Sequence, residues 1–148
     1  MTYKTSGKDG IKIGQTRFEW GTRTYVMGVI NVTPDSFSGD GVDTDCVAAK
    51  NKALQFQDLG ADIIDVGGES TRPPSIYSNV KSIDVEKELS RVIPAIKAMA
   101  PELQIPISVD TYKSEVAERA IAAGASMIND IWALQQSSSM ADVVVRTG

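Results

Sequence analysis

Small polar or acidic side chains end four short apolar segments of the chain, at Asn31, at Asp65, at Asp110 and at the neighbours Asn129 and Asp130. A single polar end of this kind is often only a solvated turn. Four in succession predict a ring of hydrogen-bonding amides and carboxylates at one face of the fold, where ligands bind. The chain has no histidine, which excludes histidine triads, histidine general bases and most zinc sites.

Short apolar strands that alternate with amphipathic helices must position these residues. Continuous apolar runs predict buried parallel strands over 25–30, 63–66, 107–110 and 127–131, and a hairpin is predicted over 11–23. The helices are indicated by stripes of apolar side chains and by end signals: Cys46, Ala49, Ala53, Phe56 and Gly60 after a possible cap at Thr44; Val85, Leu89, Val92, Ile96 and Met99 after a cap at Asp84; Val116, Ala120 and Ala123 before Gly124; and a helix from Ser139 to Thr147.

An internal repeat supports this alternation. The pattern Gly-Ala-x-Ile-Ile-Asp at 60–65 returns as Gly-Ala-x-Met-Ile-Asn at 124–129, which is 64 residues later and therefore two strand–helix units along. Such units predict a parallel sheet with right-handed crossovers. Both an open doubly wound sheet and a (β/α)₈ barrel satisfy that pattern.

Composition narrows the class of protein. With 15 Lys and Arg against 19 Asp and Glu, the net charge of −4 gives no electrostatic footprint for a nucleic acid or an anionic membrane. The lone Cys46 fits a reducing compartment, and we expect packing to be its role. The polar N-terminus lacks a signal peptide's apolar core, and no apolar run reaches the roughly 20 residues of a membrane span. We therefore expect a cytoplasmic protein that binds neither nucleic acid nor membrane.

Two long motifs resemble the signatures of the dihydropteroate synthase family. The first is Gly-Val-Ile-Asn-Val-Thr-Pro-Asp-Ser-Phe-Ser at 28–38, and the second is Asp-Val-Gly-Gly-Glu-Ser-Thr-Arg-Pro at 65–73. The segments Ile-Ser-Val-Asp-Thr at 107–111 and Ile-Asn-Asp at 128–130 match the family's third and fourth strands in order and spacing. The resemblance covers nearly everything from Tyr25 onwards. It implies the first four βα units of a TIM (β/α)₈ barrel, preceded by the hairpin.

The resemblance also implies an activity. Dihydropteroate synthases condense 6-hydroxymethyl-7,8-dihydropterin pyrophosphate with p-aminobenzoate and release pyrophosphate. In the family, pyrophosphate is thought to leave first and the amine then captures a pterin cation. No covalent nucleophile is then required, so the lack of histidine in this chain does not conflict with the activity.

The same resemblance implies roles for individual residues of this chain. Asn31 matches the family's Mg²⁺-contacting residue, with phosphate oxygens and waters completing the coordination. Thr71 and Arg72 match the loop that holds the pyrophosphate, where an arginine offers a bidentate fork. Asp110 and Asn129 match the positions that recognise the pterin, because a carboxylate accepts from two donors while an amide donates and accepts.

Further positions surround this proposed pocket. We expect Ile131 to form an apolar wall against the pterin ring and Asp65 to brace the loops. The loop at 35–41 resembles the family's mobile lid, in which Ser36 contacts substrate and Phe37 flanks the aminobenzoate ring. Asp35 and Arg72 are the residues to which the resemblance assigns catalysis.

The chain also departs from the family. Pro-Pro-Ser-Ile-Tyr-Ser-Asn at 73–79 is longer and stiffer than the family's usual loop, which puts the aminobenzoate pocket in doubt. A (β/α)₈ barrel needs about 250 residues, so we expect an unclosed, truncated barrel with a hairpin extension over 1–24 and a partial pterin-binding domain over 25–148. The isolated chain should then be inactive, and the resemblance implies that the full-length form is a homodimer. A non-catalytic remnant that binds pterin or a partner, and a pterin-binding methyltransferase domain, are the alternatives.

Overall fold

The computed structural model describes residues 10–33, 42–69 and 82–148. In these ranges the strands and helices alternate along the chain after an initial hairpin. In chain order they are β1 (Ile11–Ile13), β2 (Thr16–Phe18), β3 (Met27–Asn31), α1 (Val42–Asp58), β4 (Ile63–Gly67), α2 (Val85–Met99), β5 (Ile107–Asp110), α3 (Ser114–Ala123), β6 (Met127–Asn129) and α4 (Met140–Thr147). The predicted alternation is confirmed. Across the described part of the chain, we find no helix long and apolar enough to span a membrane.

The sheet order separates the two architectures that the sequence pattern leaves open. In the described ranges β3, β4, β5 and β6 form one parallel sheet, and spatial order follows chain order without a reversal. A doubly wound sheet reverses its order at a switch point, whereas a barrel adds each strand beside the last. The helices pack in the same succession, α1 on α2, α2 on α3 and α3 on α4. This arrangement is that of consecutive units of a barrel.

The register of the sheet agrees with the barrel. Asp65 pairs with Ser108, which pairs with Met127. The internal repeat, however, makes Asp65 equivalent to Asn129, which lies two residues beyond Met127. Equivalent positions are therefore displaced by two residues across two strand steps. A shear of 8 over eight strands requires that displacement of one residue per strand.

Alternate residues of each strand point towards the helices and build the core. Ile30, Val66 and Val109 lie side by side across the sheet and are at most 1% exposed. They pack against the apolar stripes of α1 and α2, where Ala49, Ala53, Val92, Ala95, Ile96 and Met99 are fully buried. Burial of each large aliphatic side chain stabilises the fold by about 1.5–3 kcal/mol. The other face of the strands carries the polar ends.

The hairpin is anchored at the start of the sheet. β1 and β2 pair antiparallel around Gly14, whose φ of +58° suits glycine. Phe18 is fully buried, and its ring lies 5.3 Å from Trp20 and 5.0 Å from Tyr25. Arg23 stacks over the Tyr25 ring at 4.0 Å. The predicted hairpin is confirmed, and the boundary at residue 24 between it and the pterin-binding part stays a prediction.

The fourth strand is shorter than predicted. β6 ends at Asn129, because the Asp130 carboxylate accepts hydrogen bonds from the backbone N–H groups of Trp132 and Leu134, each at 2.9 Å. An aspartate that bonds the backbone two residues on is a typical turn former. The prediction that the strand continues to Ile131 is wrong for that reason.

Candidate active site

Three of the predicted site residues lie in one row across the carboxyl end of the sheet. Asn31 pairs with Gly67, Gly67 with Asp110, and Asp110 with Asn129. Neighbouring strands are about 4.8 Å apart, so the row spans roughly 15 Å. The sheet register therefore brings together the side chains of Asn31, Asp110 and Asn129, which the sequence places 98 residues apart at its extremes.

Gly67 leaves the middle of this row without a side chain. A Cβ built there would lie 3.5 Å from Asn31 Oδ1 and 3.6 Å from Asp110 Oδ2. The amide oxygen and the carboxylate thus flank the same gap from opposite sides. Such a gap between two polar groups can hold part of a ligand.

Asp110 is a carboxylate in an electrostatically unfavourable place. Burial, which is the largest cause, and the negative charges of Asp65, Glu88, Asp130 and Glu69, in that order, together raise the pKa of Asp110 from 3.8 to about 6. Among the described residues, no hydrogen bond to this carboxylate compensates the lost hydration. A ligand that brings N–H donors would supply what is missing.

Asn129 is held in one orientation by Asp65. The Asn129 Nδ2 group donates to Asp65 Oδ2 at 3.1 Å, and Asp65 is only 3% exposed. Because a carboxylate only accepts, this contact directs the amide nitrogen towards Asp65 and leaves Oδ1 for another donor. The Asn129 backbone oxygen accepts from Thr111 N at 3.1 Å, which fixes the strand end as well. This contact is with a residue of β6, so the expectation that Asp65 braces the loops stays a prediction.

A buried ionic cluster that was not predicted from the sequence is formed by Lys113, Glu69 and Glu88. Lys113 Nζ bonds both Glu69 and Glu88, and Glu88 is 1% exposed. Burial opposes the charged form of Lys113, but the side-chain hydrogen bonds to Glu69 and Glu88 outweigh it and raise the Lys113 pKa. Arg91 donates to the backbone oxygen of Gly68 at 2.8 Å. The cluster joins α2 and the start of α3 to the chain just after β4.

Comparison with known proteins shows the family to which this chain belongs. Residues 27–148 match the profile of the family described as pterin binding enzyme. The chain belongs to this family. It is 49% identical over 136 residues to the dihydropteroate synthase of Clostridium beijerinckii, a match that covers 92% of this chain and 49% of that protein.

Solved structures of the pterin binding enzyme family share the fold. A dihydropteroate synthase from Clostridium difficile, crystallised in the presence of pteroic acid, has 49% identity and a TM-score of 0.80 over 88% of this chain and 48% of its own. The Xanthomonas albilineans enzyme with 4-aminobenzoic acid has 47% identity and a TM-score of 0.75 over 84% and 44%. The chain is thus the first four βα units of a TIM barrel, and it spans about half the length of the relatives it matches.

The described structure says less about the other predicted site residues. Ile131 follows β6 and is 57% exposed, so the wall that it is expected to form stays a prediction. Asp35, Ser36 and Phe37 of the first motif, and Thr71 and Arg72 of the second, lie outside the described residues.

Within the described part of the chain, a metal would have to be held mainly by oxygen atoms from outside these residues. In residues 10–33, 42–69 and 82–148 there is no group of three or more acidic, histidine or cysteine side chains that could hold an ion. Asn31 Oδ1 is a hard amide oxygen at an exposed strand end, beside the open gap at Gly67. One such ligand suits Mg²⁺, which keeps waters and binds substrate phosphates.

A cavity of about 510 Å³ lies elsewhere, between Lys12, Ser126 and Thr147. It adjoins the start of β6, at the opposite end of the strands from Asn31 and Asp110. In barrels of this kind ligands bind at the carboxyl end of the strands, and the other end serves stability. We therefore place the site at the polar row and not in this cavity.

Proposed function

We propose that this chain forms the first half of the active site of a dihydropteroate synthase. The observation that carries the proposal is the single row in which Asn31, Gly67, Asp110 and Asn129 meet across the sheet. It places an amide oxygen at one end and a hydrogen-bonding pair, a carboxylate and an amide, at the other. A ligand with a diphosphate at one end and a flat heterocycle at the other fits that order.

The heterocycle would be read by Asp110 and Asn129. The Asp110 carboxylate accepts from adjacent N–H groups of the pterin, and its partly buried position strengthens those hydrogen bonds. Asn129 presents its oxygen to a further donor because Asp65 holds its nitrogen. Ile131 then covers one face of the ring. The relatives crystallised with pteroic acid and 4-aminobenzoic acid support ligands of this chemistry.

The diphosphate would lie at the other end of the row. Asn31 Oδ1, together with phosphate oxygens, would hold Mg²⁺ there, and the ion would supply positive charge to balance the charge on the leaving group. Thr71 and Arg72 contribute hydrogen bonds to the same oxygens, and Arg72 and Asp35 are the proposed catalytic residues. Ser36 and Phe37 close over the substrate, with Phe37 beside the aminobenzoate ring.

The reaction breaks one bond and forms one. The bond between the pterin methylene carbon and the diphosphate oxygen breaks, and its electron pair leaves with pyrophosphate. The amine of p-aminobenzoate donates its lone pair to that carbon and then loses a proton. The row supports the first step because it holds the heterocycle and the diphosphate on opposite sides of the breaking bond.

We also propose that the 148 residues alone show no turnover, that the complete enzyme is a homodimer, and that it acts in the cytoplasm. The chain matches only about half of each relative, so the remaining groups around the substrate would come from further βα units.

A chimera tests the proposed function. The 148 residues would replace the matching half of the Clostridium beijerinckii synthase, to which they are 49% identical. We expect the chimera to form dihydropteroate from both substrates with Mg²⁺ and the chain alone to form none. Asp110→Asn should lower kcat/KM roughly 10- to 100-fold, because a charge-assisted hydrogen bond is lost. Asp142→Asn, at an exposed position of α4, is the matched control. A folded chimera without activity, or turnover by the chain alone, would refute the proposal.

A further inference from the structure

β4 ends at Gly67 and Gly68 follows it, and these two glycines face opposite sides of the sheet. A Cβ on Gly68 would lie 2.6 Å from Val92 Cγ2 and 3.1 Å from Glu88 Cγ, so α2 packs directly against this residue. Gly68 is therefore explained by packing. Gly67 points the other way, into the row between Asn31 and Asp110, and needs a different explanation.

Neither backbone conformation nor packing requires a glycine at position 67. Its φ lies outside the left-handed region, and a Cβ there would make only ordinary contacts at 3.5 Å or more. Glycine inside a strand destabilises a protein by about 0.5–1 kcal/mol relative to alanine. A residue that costs stability and relieves no strain or crowding calls for a reason outside the fold.

The position of Gly67 supplies that reason. It is the register partner of both Asn31 and Asp110, one strand spacing of about 4.8 Å from each. If the diphosphate lies at Asn31 and the heterocycle at Asp110 and Asn129, then the carbon that joins them crosses Gly67. A side chain there would occupy the place of the reacting carbon.

We propose that Gly67 is a specificity-determining residue whose missing side chain makes room for the methylene carbon between the heterocycle and the diphosphate. This inference rests on the proposed function. Gly67 contributes no hydrogen-bonding side chain and acts by leaving space. The space admits an unbranched one-carbon link and excludes a substrate with a substituent on that carbon.

Paired substitutions separate this role from a structural one. In the 148-residue chain, Gly67→Ala should leave the urea midpoint unchanged or higher, whereas Gly68→Ala should lower it because Val92 and Glu88 must move. In the chimera, Gly67→Ala should raise KM for the pterin pyrophosphate roughly tenfold and Gly67→Val more, since one added carbon in a fitted pocket changes selectivity about 10- to 200-fold. KM for p-aminobenzoate should change less.

The outcomes distinguish the two proposals. An active parent chimera whose kinetics are unchanged by Gly67→Ala overturns the role of Gly67 and leaves the proposed function standing. A lowered urea midpoint for Gly67→Ala also overturns it, because the glycine is then required by the fold. A folded parent chimera without activity overturns the proposed function and, with it, the ligand assigned to this gap.

Discussion

The side-chain amide of Asn129 donates to Asp65 Oδ2 at 3.1 Å, and the two residues occupy equivalent places in the internal repeat. In the sheet register Asp65 is level with Met127, so Asn129 lies two residues further towards the carboxyl end and its side chain bonds back to Asp65. One copy of the repeat thus supplies a buried carboxylate, Asp65, that orients Asn129, and the other copy supplies Asn129 itself at the site. The same carboxylate also acts on Asp110, because its charge is second only to burial in raising the Asp110 pKa.

Asp65→Asn should therefore lower the pKa of Asp110. Burial of Asp110 remains, so we expect a value between the ordinary 3.8 and the present value of about 6. A carboxyl-carbon NMR titration of Asp110 measures it. Asp142→Asn removes a charge from an exposed position of α4 and should leave the titration unchanged. An unshifted Asp110 in Asp65→Asn would show that the charge of Asp65 does not reach the site.

Asp110→Asn should stabilise the chain near neutral pH. The folded pKa of Asp110 is raised from 3.8 to about 6, so the native state binds more protons than the unfolded state between these values. Stability contributed by this group is then lost as pH rises through that window, and the destabilisation is complete above about 6. With allowance for partial exposure, we expect a gain of about 1–2 kcal/mol at pH 7.

Urea unfolding at several pH values measures this gain. The advantage of Asp110→Asn over the parent chain should shrink steadily between about pH 6 and pH 4, where both carry a neutral side chain at position 110. A difference that does not vary with pH would refute the electrostatic explanation. The expected loss of activity in the chimera would make Asp110 a residue that trades stability for binding.

The sequence predicted the polar row because its cause is local. A parallel strand that ends in a polar residue presents it at the carboxyl edge of the sheet, so Asn31, Asp110 and Asn129 could be grouped from the sequence. The order of the strands within the sheet could not be predicted from the sequence, because the same alternation of strands and helices also fits an open doubly wound sheet. It also placed the start of the first helix at Thr44, whereas α1 begins at Val42.

The ionic cluster could not be predicted because it depends on tertiary packing. Glu88 falls on the apolar face of α2 but is a residue type that is rarely buried, and Lys113 is the residue just before α3. The sequence around Glu88 does not indicate that Lys113 is its partner, and the sequence around Lys113 does not indicate Glu88. Only the packing of α2 beside α3 and the chain after β4 brings Lys113 to both glutamates.

Lys113→Met should destabilise the chain by about 3 kcal/mol, because it leaves the buried Glu88 without its cation. Adding Glu88→Gln to this variant should recover part of the loss, which urea unfolding of the single and double variants would measure. Lys87→Met changes an exposed lysine of α2 and should cost about 0.5 kcal/mol or less. Equal losses for the two lysine variants would contradict a role for the cluster.

Gly28→Ala should destabilise the chain by overpacking. A Cβ at Gly28 would lie 2.6 Å from Cδ2 of Phe56 on α1 and 3.3 Å from Ile64 Cδ1, and such crowding costs about 1–3 kcal/mol. Gly21→Ala is the control. A Cβ at Gly21 would meet nothing within 4 Å, so any loss of stability there would come from backbone strain at its φ of +87°.

Phe56→Leu distinguishes these causes. By shortening the side chain that Gly28→Ala would strike, it should recover stability in the double variant relative to the sum of the single effects. It should add independently to Gly21→Ala, because backbone strain at a left-handed residue does not depend on α1. Urea unfolding of both cycles measures the coupling. If Phe56→Leu were additive with Gly28→Ala, the close approach of β3 to α1 would not be the reason for glycine at position 28.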